Sequence, residues 1–313
     1  ILLVAGRYGV VQTLSTILVA GFTFVTIFNL IQLQSVPAWK ISTSEALEGL
    51  WFQLPEKNSA GLSPLATALA AFGIIGVGAT ELIQYPYWCL EKGYARWAGR
   101  RDQSEEWASR ARGWMKVMQW DAWVSALIYT FATVVFYLLG AAVLGRVGLN
   151  PEGTRMVRTL AEMYVPVFGP LAHTVFLFGA IAVLYSTFFV ATAGHARVCA
   201  DALRVFGLSS GSVKARRFWT QAFCVFFPAV ALLFYAGIRA PVALILASGV
   251  MQAIMLPMLA TGALYFRYRF CDPRLQPGRL WDSLLWISGI GLLLAGGWLT
   301  LSKLLPLVGI DLI

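Results

Sequence analysis

Charged residues are scarce in this sequence, since Asp, Glu, Lys and Arg make up only 12% of its 313 residues. Soluble domains average roughly 25%, so the composition argues against a soluble globular domain. Histidine occurs twice, and the four cysteines, at positions 89, 199, 224 and 271, have no CxxC or other metal-binding spacing. We therefore expect free, buried thiols, no zinc centre and no disulfide framework. No Ser-His-Asp arrangement, Walker loop or pair of catalytic carboxylates can be assembled either, so the sequence does not predict an enzyme.

Long apolar segments are what the sequence has instead: 58% of the residues are hydrophobic and the mean hydropathy is +0.70. A helix of about 20 apolar residues crosses a bilayer, and such segments recur to the C-terminus, which a cleaved signal peptide does not explain. We predict an all-α membrane protein with a single transmembrane domain over residues 1–313. Its seven predicted spans are residues 10–33, 60–90, 117–145, 163–196, 218–238, 240–266 and 280–302.

The basic residues divide unequally between the two sides that these spans define. One side carries 17 of the 24 Lys and Arg residues, and the other side carries 7. Because basic loops stay in the cytoplasm, we expect the first side to be cytoplasmic in a multi-pass protein of a bacterial inner membrane. The net charge of +9 then belongs to membrane loops, and we expect a lipid bilayer and no nucleic acid as partner.

Two loops have their own helix predictions. The outer loop, residues 34–59, contains a stretch at 43–52 that favours a short amphipathic helix on the membrane surface. The inner loop, residues 91–116, mixes Arg with Glu105 and Glu106 and favours a solvated amphipathic helix. Neither loop is predicted to carry the function.

The stretch GVGATELIQYP, residues 76–86, combines features that apolar segments avoid. Its glycines loosen a helix, Pro86 removes a backbone donor, and Glu81 is a carboxylate with no Lys or Arg nearby in sequence. A broken helix is tolerated in a membrane only where it lines a cavity, and a mid-membrane carboxylate costs about 2.5–3.5 kcal/mol on insertion scales. We therefore predict a break between about Gly76 and Pro86 and a cation site at Glu81. The competing interpretation is a neutral, hydrogen-bonded, structural Glu81.

The order of several motifs resembles that of the NRAMP (natural resistance-associated macrophage protein) family of divalent-metal transporters. GRY at residues 6–8 resembles the link into the fifth helix of the family, and GVGATELIQYP resembles its broken sixth helix. WDAWVSALIY, which contains Asp121, resembles the start of the seventh helix. YSTFFVATAGHARV at 185–198 resembles the eighth, and LASGVMQAIMLP at 246–257 resembles the tenth.

The resemblance implies a LeuT-type fold, in which two inverted five-helix repeats surround a site at the breaks of the first and sixth helices. The chain would hold the fifth to eleventh helices, so we expect it to be the C-terminal part of a longer protein. The first helix, with the Asp-Pro-Gly-Asn motif of the family, would lie outside it. The implied function is secondary transport of divalent cations of the Mg²⁺, Mn²⁺ and Fe²⁺ class by alternating access, with the metal as substrate and no cofactor.

Residue-by-residue transfer predicts a divergent metal site at the broken helix. The coordinating backbone carbonyl of the family falls on Ala79, its coordinating Met falls on Leu82, and its His falls on Gln84. Glu81 replaces an apolar residue. Leu82 cannot ligate and Gln84 cannot carry a proton, so the resemblance implies altered selectivity and weak or absent proton coupling.

Further polar residues are weaker candidates. The usual Gln of the tenth helix falls on Gly249, but Gln252 is one turn away, and we place Gln252 and Asp121 on a possible ion pathway. Asp121 and Asp282 could equally be interfacial carboxylates that pair with arginines. For His173 and His195 a satisfied polar role is favoured over ligation.

Two other functions stay open at this point. An amino-acid or organic-solute transporter of the same fold would bind a substrate carboxylate with the amides of the broken helix, and there Glu81 has the wrong sign unless it binds an amine. A membrane receptor or scaffold that does not transport is the third candidate.

Overall fold

The computed structural model describes residues 8–49, 51, 68, 71, 78–151 and 155–304. This part of the chain is helical and contains no strand. Six of its helical segments are long and apolar enough to cross a membrane, namely Thr16–Leu33, Glu105–Gly145, Met156–Val205, Val213–Ile238, Pro241–Arg269 and Arg279–Ser302. They correspond to six of the seven predicted spans. The remaining prediction, residues 60–90, is described only at 68, 71 and 78–90.

The helices, numbered in chain order over the described residues, have the following bounds. They are α1 (Tyr8–Leu33), α2 (Thr43–Glu48), α3 (Ala79–Glu91), α4 (Tyr94–Ala98), α5 (Glu105–Leu139), α6 (Met156–Ala161), α7 (Val165–Phe168), α8 (Ala172–Val205), α9 (Val213–Ile238), α10 (Pro241–Arg269) and α11 (Arg279–Leu304). A π-helical turn, Gly140–Gly145, follows α5 directly.

The chain forms two compact units, of which the first comprises Ile1–Gln53 and Ala126–Val242. Its apolar core surrounds the ring of Tyr164, which is fully buried. The Tyr164 hydroxyl lies 2.7 Å from Thr26 Oγ1, and the Asn29 amide donates a hydrogen bond of 3.1 Å to the Met163 carbonyl. Polar side chains inside a membrane protein commonly join helices through such bonds, and here they join α1 to the segment before α8.

The second unit comprises Leu54–Ser125 and Ala243–Ile313 and has a small core of Ala79, Ala253, Leu256 and Leu299. Gly296 of α11 is part of this packing, because a Cβ there would lie 2.5 Å from the Ala253 carbonyl oxygen and 2.5 Å from Pro257 Cδ. Pro257 has no N–H, so the Ala253 carbonyl lacks its usual donor within α10. The missing side chain of Gly296 lets α11 lie against this carbonyl.

The predicted span 163–196 lies within the apolar segment Met156–Val205, but the helix is not continuous there. Short turns precede α8, and the chain is interrupted at Gly169, which has φ 53°, and at Pro170. The helix predictions for the two loops are wrong in their bounds. The outer helix ends at Glu48 rather than at residue 52, with Gly49 at its C-terminus. The segment 91–116 is not one separate helix, since α4 ends at Ala98 and α5 runs from Glu105 into the next predicted span.

Candidate functional site

The site lies where α3 begins in the second unit. Gly78 has extended backbone, with φ −72° and ψ 165°, and the helix starts at the next residue. The first helical hydrogen bond runs from the Leu82 N–H to the Gly78 carbonyl, at 3.2 Å. The amides of the first turn therefore have no partner within the helix and need acceptors from elsewhere. This places extended backbone within the predicted interruption of residues 76–86.

Pro86 does not break the helix, which is a correction to the sequence prediction. The α3 helix runs without interruption from Ala79 to Glu91 and includes Pro86. A proline in a helix removes only its own N–H, and the carbonyl four residues earlier loses its donor. Here that carbonyl belongs to Leu82, which therefore lacks the usual donor from residue 86.

A set of oxygen atoms meets at the start of α3. The Thr80 amide donates a hydrogen bond of 3.4 Å to Gln252 Oε1 of α10. The Thr80 hydroxyl lies 3.1 Å from the same Gln252 oxygen and 3.2 Å from Glu81 Oε2, and it can donate its proton to either one. Gln252 is held from its other end, because its Nε2 donates to Ser248 Oγ at 3.3 Å. One amide, one hydroxyl and one carboxylate oxygen are thus brought together.

Gly78 gives these oxygens the space they occupy. A Cβ on this residue would collide with Gln252 Oε1 and Glu81 Oε2, and it would lie 3.1 Å from Gln252 Cδ. The backbone conformation of Gly78 is one that any residue can adopt, so its turn does not require glycine. The absence of a side chain at Gly78 is instead required by the approach of the two oxygen-bearing side chains.

The four residues that the sequence places at the site have different surroundings. Ala79 is fully buried in the core of the second unit, whereas the Glu81 side chain is exposed and Leu82 is 44% exposed. Gln84 is buried, and its Nε2 has no hydrogen-bond partner among the described residues. Gln84 lies four residues after Thr80, hence on the Thr80 face of the helix, and the structure does not place its side chain with the oxygens around Gly78.

Asp121 is part of a separate cluster in the same unit. Its Oδ2 accepts hydrogen bonds from the Tyr85 hydroxyl at 3.2 Å and from Lys92 Nζ at 3.1 Å. Of the two interpretations of Asp121, pairing with an arginine is not found among the described residues, where its charged partner is Lys92. Asp282 does pair with an arginine, since Arg267 donates two hydrogen bonds of 2.7 Å to its carboxylate.

The remaining candidates have structural partners. His173 Nε2 lies 3.2 Å from Glu162 Oε1, and the His195 ring packs edge-on against Phe227. The four cysteines are free, with Cys89 and Cys224 buried.

The chemistry of the site is that of hard oxygen donors. The positive end of the α3 dipole favours a carboxylate in the first turn, so Glu81 has a favourable position even without a ligand. Across the described residues no group of three or more His, Cys, Asp or Glu side chains could hold a metal. The oxygens around Gly78 are therefore a partial coordination set, with one formal negative charge.

Thr80 is the functional candidate that sequence reasoning missed. Its signal was a hydroxyl directly before the unusual Glu81, in a stretch already predicted to be broken. Gln252 was placed on a pathway, and the structure brings it to the start of α3 instead. The aligned position, Gly249, carries no side chain, and Gln252 lies nearly one turn further along α10.

Comparison with known proteins gives one match. A family model described as "Nramp: Natural resistance-associated macrophage protein-like" matches residues 1–302. Neither the curated proteins nor the solved structures give a match.

Proposed function

The chain belongs to the natural resistance-associated macrophage protein-like family, and from this membership we propose that it moves Mg²⁺ or Mn²⁺ across a membrane by alternating access. The family implies divalent metal transport rather than catalysis, with the metal as substrate. Together with the six apolar helices, membership makes the chain an integral, multi-pass membrane protein. The choice of ion, the mechanism and the LeuT-type fold are parts of the proposal.

The observation that carries the proposal is the meeting of Glu81, Thr80 and Gln252 at Gly78. Carboxylate, hydroxyl and amide oxygens are the ligands that hard divalent cations prefer. One formal charge from Glu81 offsets half of the charge of the ion, and Gln252 Oε1 lies within reach of the same hydroxyl. Ala79 lies between Gly78 and Thr80 in the chain, and its carbonyl is the backbone ligand that the resemblance implies.

The choice of Mg²⁺ or Mn²⁺ follows from what the donor set lacks. Thioether sulfur favours soft ions, and Leu82 stands where the resemblance implies a Met. Mg²⁺ gives up its water reluctantly, so we propose that the ion keeps part of its hydration shell in the site.

The extended backbone at Gly78 supports alternating access, because ions in such transporters bind where membrane helices are interrupted. In this proposal the basic loops face the cytoplasm of a bacterium, in accordance with the charge distribution. Proton coupling through Gln84 is weak or absent, since an amide does not titrate near neutral pH.

An organic-solute transporter of the same fold is the second candidate, favoured by the N-terminus of α3, whose amides form the positive end of the helix dipole. Such amides bind a substrate carboxylate in other broken-helix sites. Here Gln252 Oε1 already accepts from the Thr80 amide, and Glu81 would repel a second carboxylate. A substrate of this class would have to present an amine to Glu81.

The experiment is uptake of Mn²⁺ into liposomes that contain the intact protein, with Glu81→Gln and Glu81→Asp variants. Loss of the charged ligand in Glu81→Gln should lower uptake by at least about tenfold, and Glu81→Asp should retain more activity because it keeps the carboxylate. Glu106→Gln is the matched control, since Glu106 is an exposed carboxylate in the first turn of α5. Unchanged uptake in Glu81→Gln would show that Glu81 is structural, and amine-dependent solute uptake would favour the second candidate.

A further inference from the structure

One face of α3 continues from the proposed ion site to the end of the helix. Glu81, Tyr85, Trp88 and Lys92 follow at intervals of four, three and four residues, so they share this face. Tyr85 lies one turn, about 6 Å, beyond Glu81, and Lys92 about 16 Å beyond it. Asp121 lies against this face, because its carboxylate accepts hydrogen bonds from both Tyr85 and Lys92.

The Asp121 carboxylate is held by one of its two oxygens. Tyr85 and Lys92 both donate to Oδ2, whereas Oδ1 takes no hydrogen bond from any residue that the structure describes. The side chains of Lys92 and Asp121 are 45% and 32% exposed. Ion pairs with this exposure are weak, and the long flexible lysine side chain can leave without disturbing the helices. The pair therefore has the properties of a contact that opens and closes.

We propose that Lys92 acts as a tethered cation that gates Asp121 for the transported ion. The inference rests on the proposed function and adds a second ion-binding site to it. A divalent ion that leaves Glu81 along this face meets Asp121, whose free Oδ1 offers the first contact. The ion then displaces the ammonium group of Lys92 from Oδ2, and Lys92 returns when the ion has left.

The physical reason for such a gate is that an unpaired carboxylate near the path would retain a divalent ion. Lys92 neutralises Asp121 and so lowers its affinity for an incoming cation without removing the binding group. The Tyr85 hydroxyl keeps the carboxylate in place while Lys92 moves, because it donates to the same oxygen from about two turns closer to Glu81. Lys92 is thus a positioning residue, and Asp121 is the group that touches the ion.

The test measures Mn²⁺ binding to the purified intact protein by equilibrium dialysis, together with liposome uptake. Lys92→Met removes the ammonium group, and Lys92→Gln is a second variant of the same kind in case the first does not fold. Both should bind one more Mn²⁺ per chain than the wild type does. The KM for uptake should fall by about fivefold, which is the change in affinity that corresponds to the loss of one of the stronger exposed ion pairs. The maximal rate should also fall, because release of the ion is slowed.

The controls separate this gate from a general charge effect. Lys116→Met removes an exposed lysine of α5 in the same unit and should leave the stoichiometry unchanged. The additional ion should disappear in Lys92→Met/Asp121→Asn, and Lys92→Arg should behave as the wild type does. An unchanged stoichiometry in folded Lys92→Met and Lys92→Gln overturns the inference.

Failure of the gate and failure of the proposed site give different results. If Asp121 binds the additional ion, Glu81→Gln/Lys92→Met still binds it, whatever Glu81 itself does. If Glu81 is structural, Glu81→Gln alone leaves Mn²⁺ uptake unchanged, whereas the additional ion of Lys92→Met still depends on Asp121.

Discussion

Gly78→Ala should disable the proposed ion site while the fold is kept. The backbone at Gly78 is extended, so alanine can adopt it, and the substitution acts only through its added methyl group. That group falls on Gln252 Oε1 and Glu81 Oε2 and lies 3.1 Å from Gln252 Cδ. Carbon contacts are most favourable near 3.5–4.0 Å, so both oxygens have to move by roughly 1 Å. The two oxygens belong to flexible side chains, which makes this movement possible without unfolding.

The expected size of the effect follows from the contacts that are lost. Displacing Gln252 breaks its bonds to the Thr80 amide and hydroxyl, and displacing Glu81 moves the charged ligand itself. Changes to groups that orient metal ligands typically cost about 10- to 100-fold in metal affinity, and we expect a rise of this size in the KM for Mn²⁺. The melting temperature should stay near that of the wild type, because the unfolded chain loses some entropy with alanine.

The assay is Mn²⁺ uptake by reconstituted protein over a range of concentrations, with thermal unfolding of each variant in detergent. Gly262→Ala is the matched control, since this glycine is in the same α10 helix as Gln252 and a Cβ there meets nothing within 4 Å. Normal uptake kinetics in a folded Gly78→Ala protein would refute the reasoning, because the oxygens cannot stay where they are.

Two further predictions concern stability. Gly296→Ala should destabilise the protein by about 1–3 kcal/mol through overpacking, because its Cβ would lie 2.5 Å from the Ala253 carbonyl oxygen. Gly297→Ala is the control and should not destabilise the protein, since a Cβ there meets nothing within 4 Å. Equal free energies of unfolding of the two variants in detergent would contradict the prediction. Hydrogen bonds from the side chain and backbone of Arg274, against an opposing effect of burial, lower the pKa of Asp272 from 3.8 to about 2. The ionised Asp272 therefore stabilises the folded protein fully above its unfolded pKa, and this stabilisation is lost as the pH falls from 3.8 towards 2. The free energy of unfolding of Asp272→Asn should consequently depend less on pH in this range than that of the wild type. An identical pH dependence would show that the loop carboxylate is not responsible.

The ends of several helices could be predicted from hydropathy because they coincide with changes in composition. The helices α9, α10 and α11 begin and end within a few residues of the predicted spans. Hydropathy could not separate the segment before α8 from the helix itself, since the residues of this segment are as apolar as those of a membrane helix. In the structure the chain turns at Gly169, which has a positive φ, and at the neighbouring Pro170.

The sequence indicated only part of the oxygen cluster around Gly78, and the part that it did not indicate has a physical reason. Glu81 and its glycines were visible because a carboxylate in an apolar stretch is costly. The contact of Thr80 with Gln252 joins residues 172 positions apart, and it depends on how α10 packs against α3. No local pattern encodes this packing. Motif alignment pointed to Gly249, and it missed that the Gln252 side chain reaches the site from nearly a turn away.

The partner of Asp121 illustrates the same limit. Many arginines lie near Asp121 in the basic loop, and an arginine partner was one of the two interpretations of this residue. Lys92 is the residue that the helical face of Tyr85 brings to the carboxylate. The choice of basic partner for a carboxylate depends on the directions of the side chains. Counting the charges in a loop gives no information about these directions.

The central claim is that hard oxygen ligands at the start of α3 select the ion, and competition between ions tests it most directly. Uptake of Mn²⁺ by the intact protein is measured in liposomes with increasing Mg²⁺ or Cd²⁺ outside. Because Leu82 offers no sulfur ligand and Glu81, Thr80 and Gln252 offer oxygen, Mg²⁺ should compete with Mn²⁺, and Cd²⁺ should have no advantage over it. Strong inhibition by Cd²⁺ at concentrations where Mg²⁺ has no effect would contradict the account.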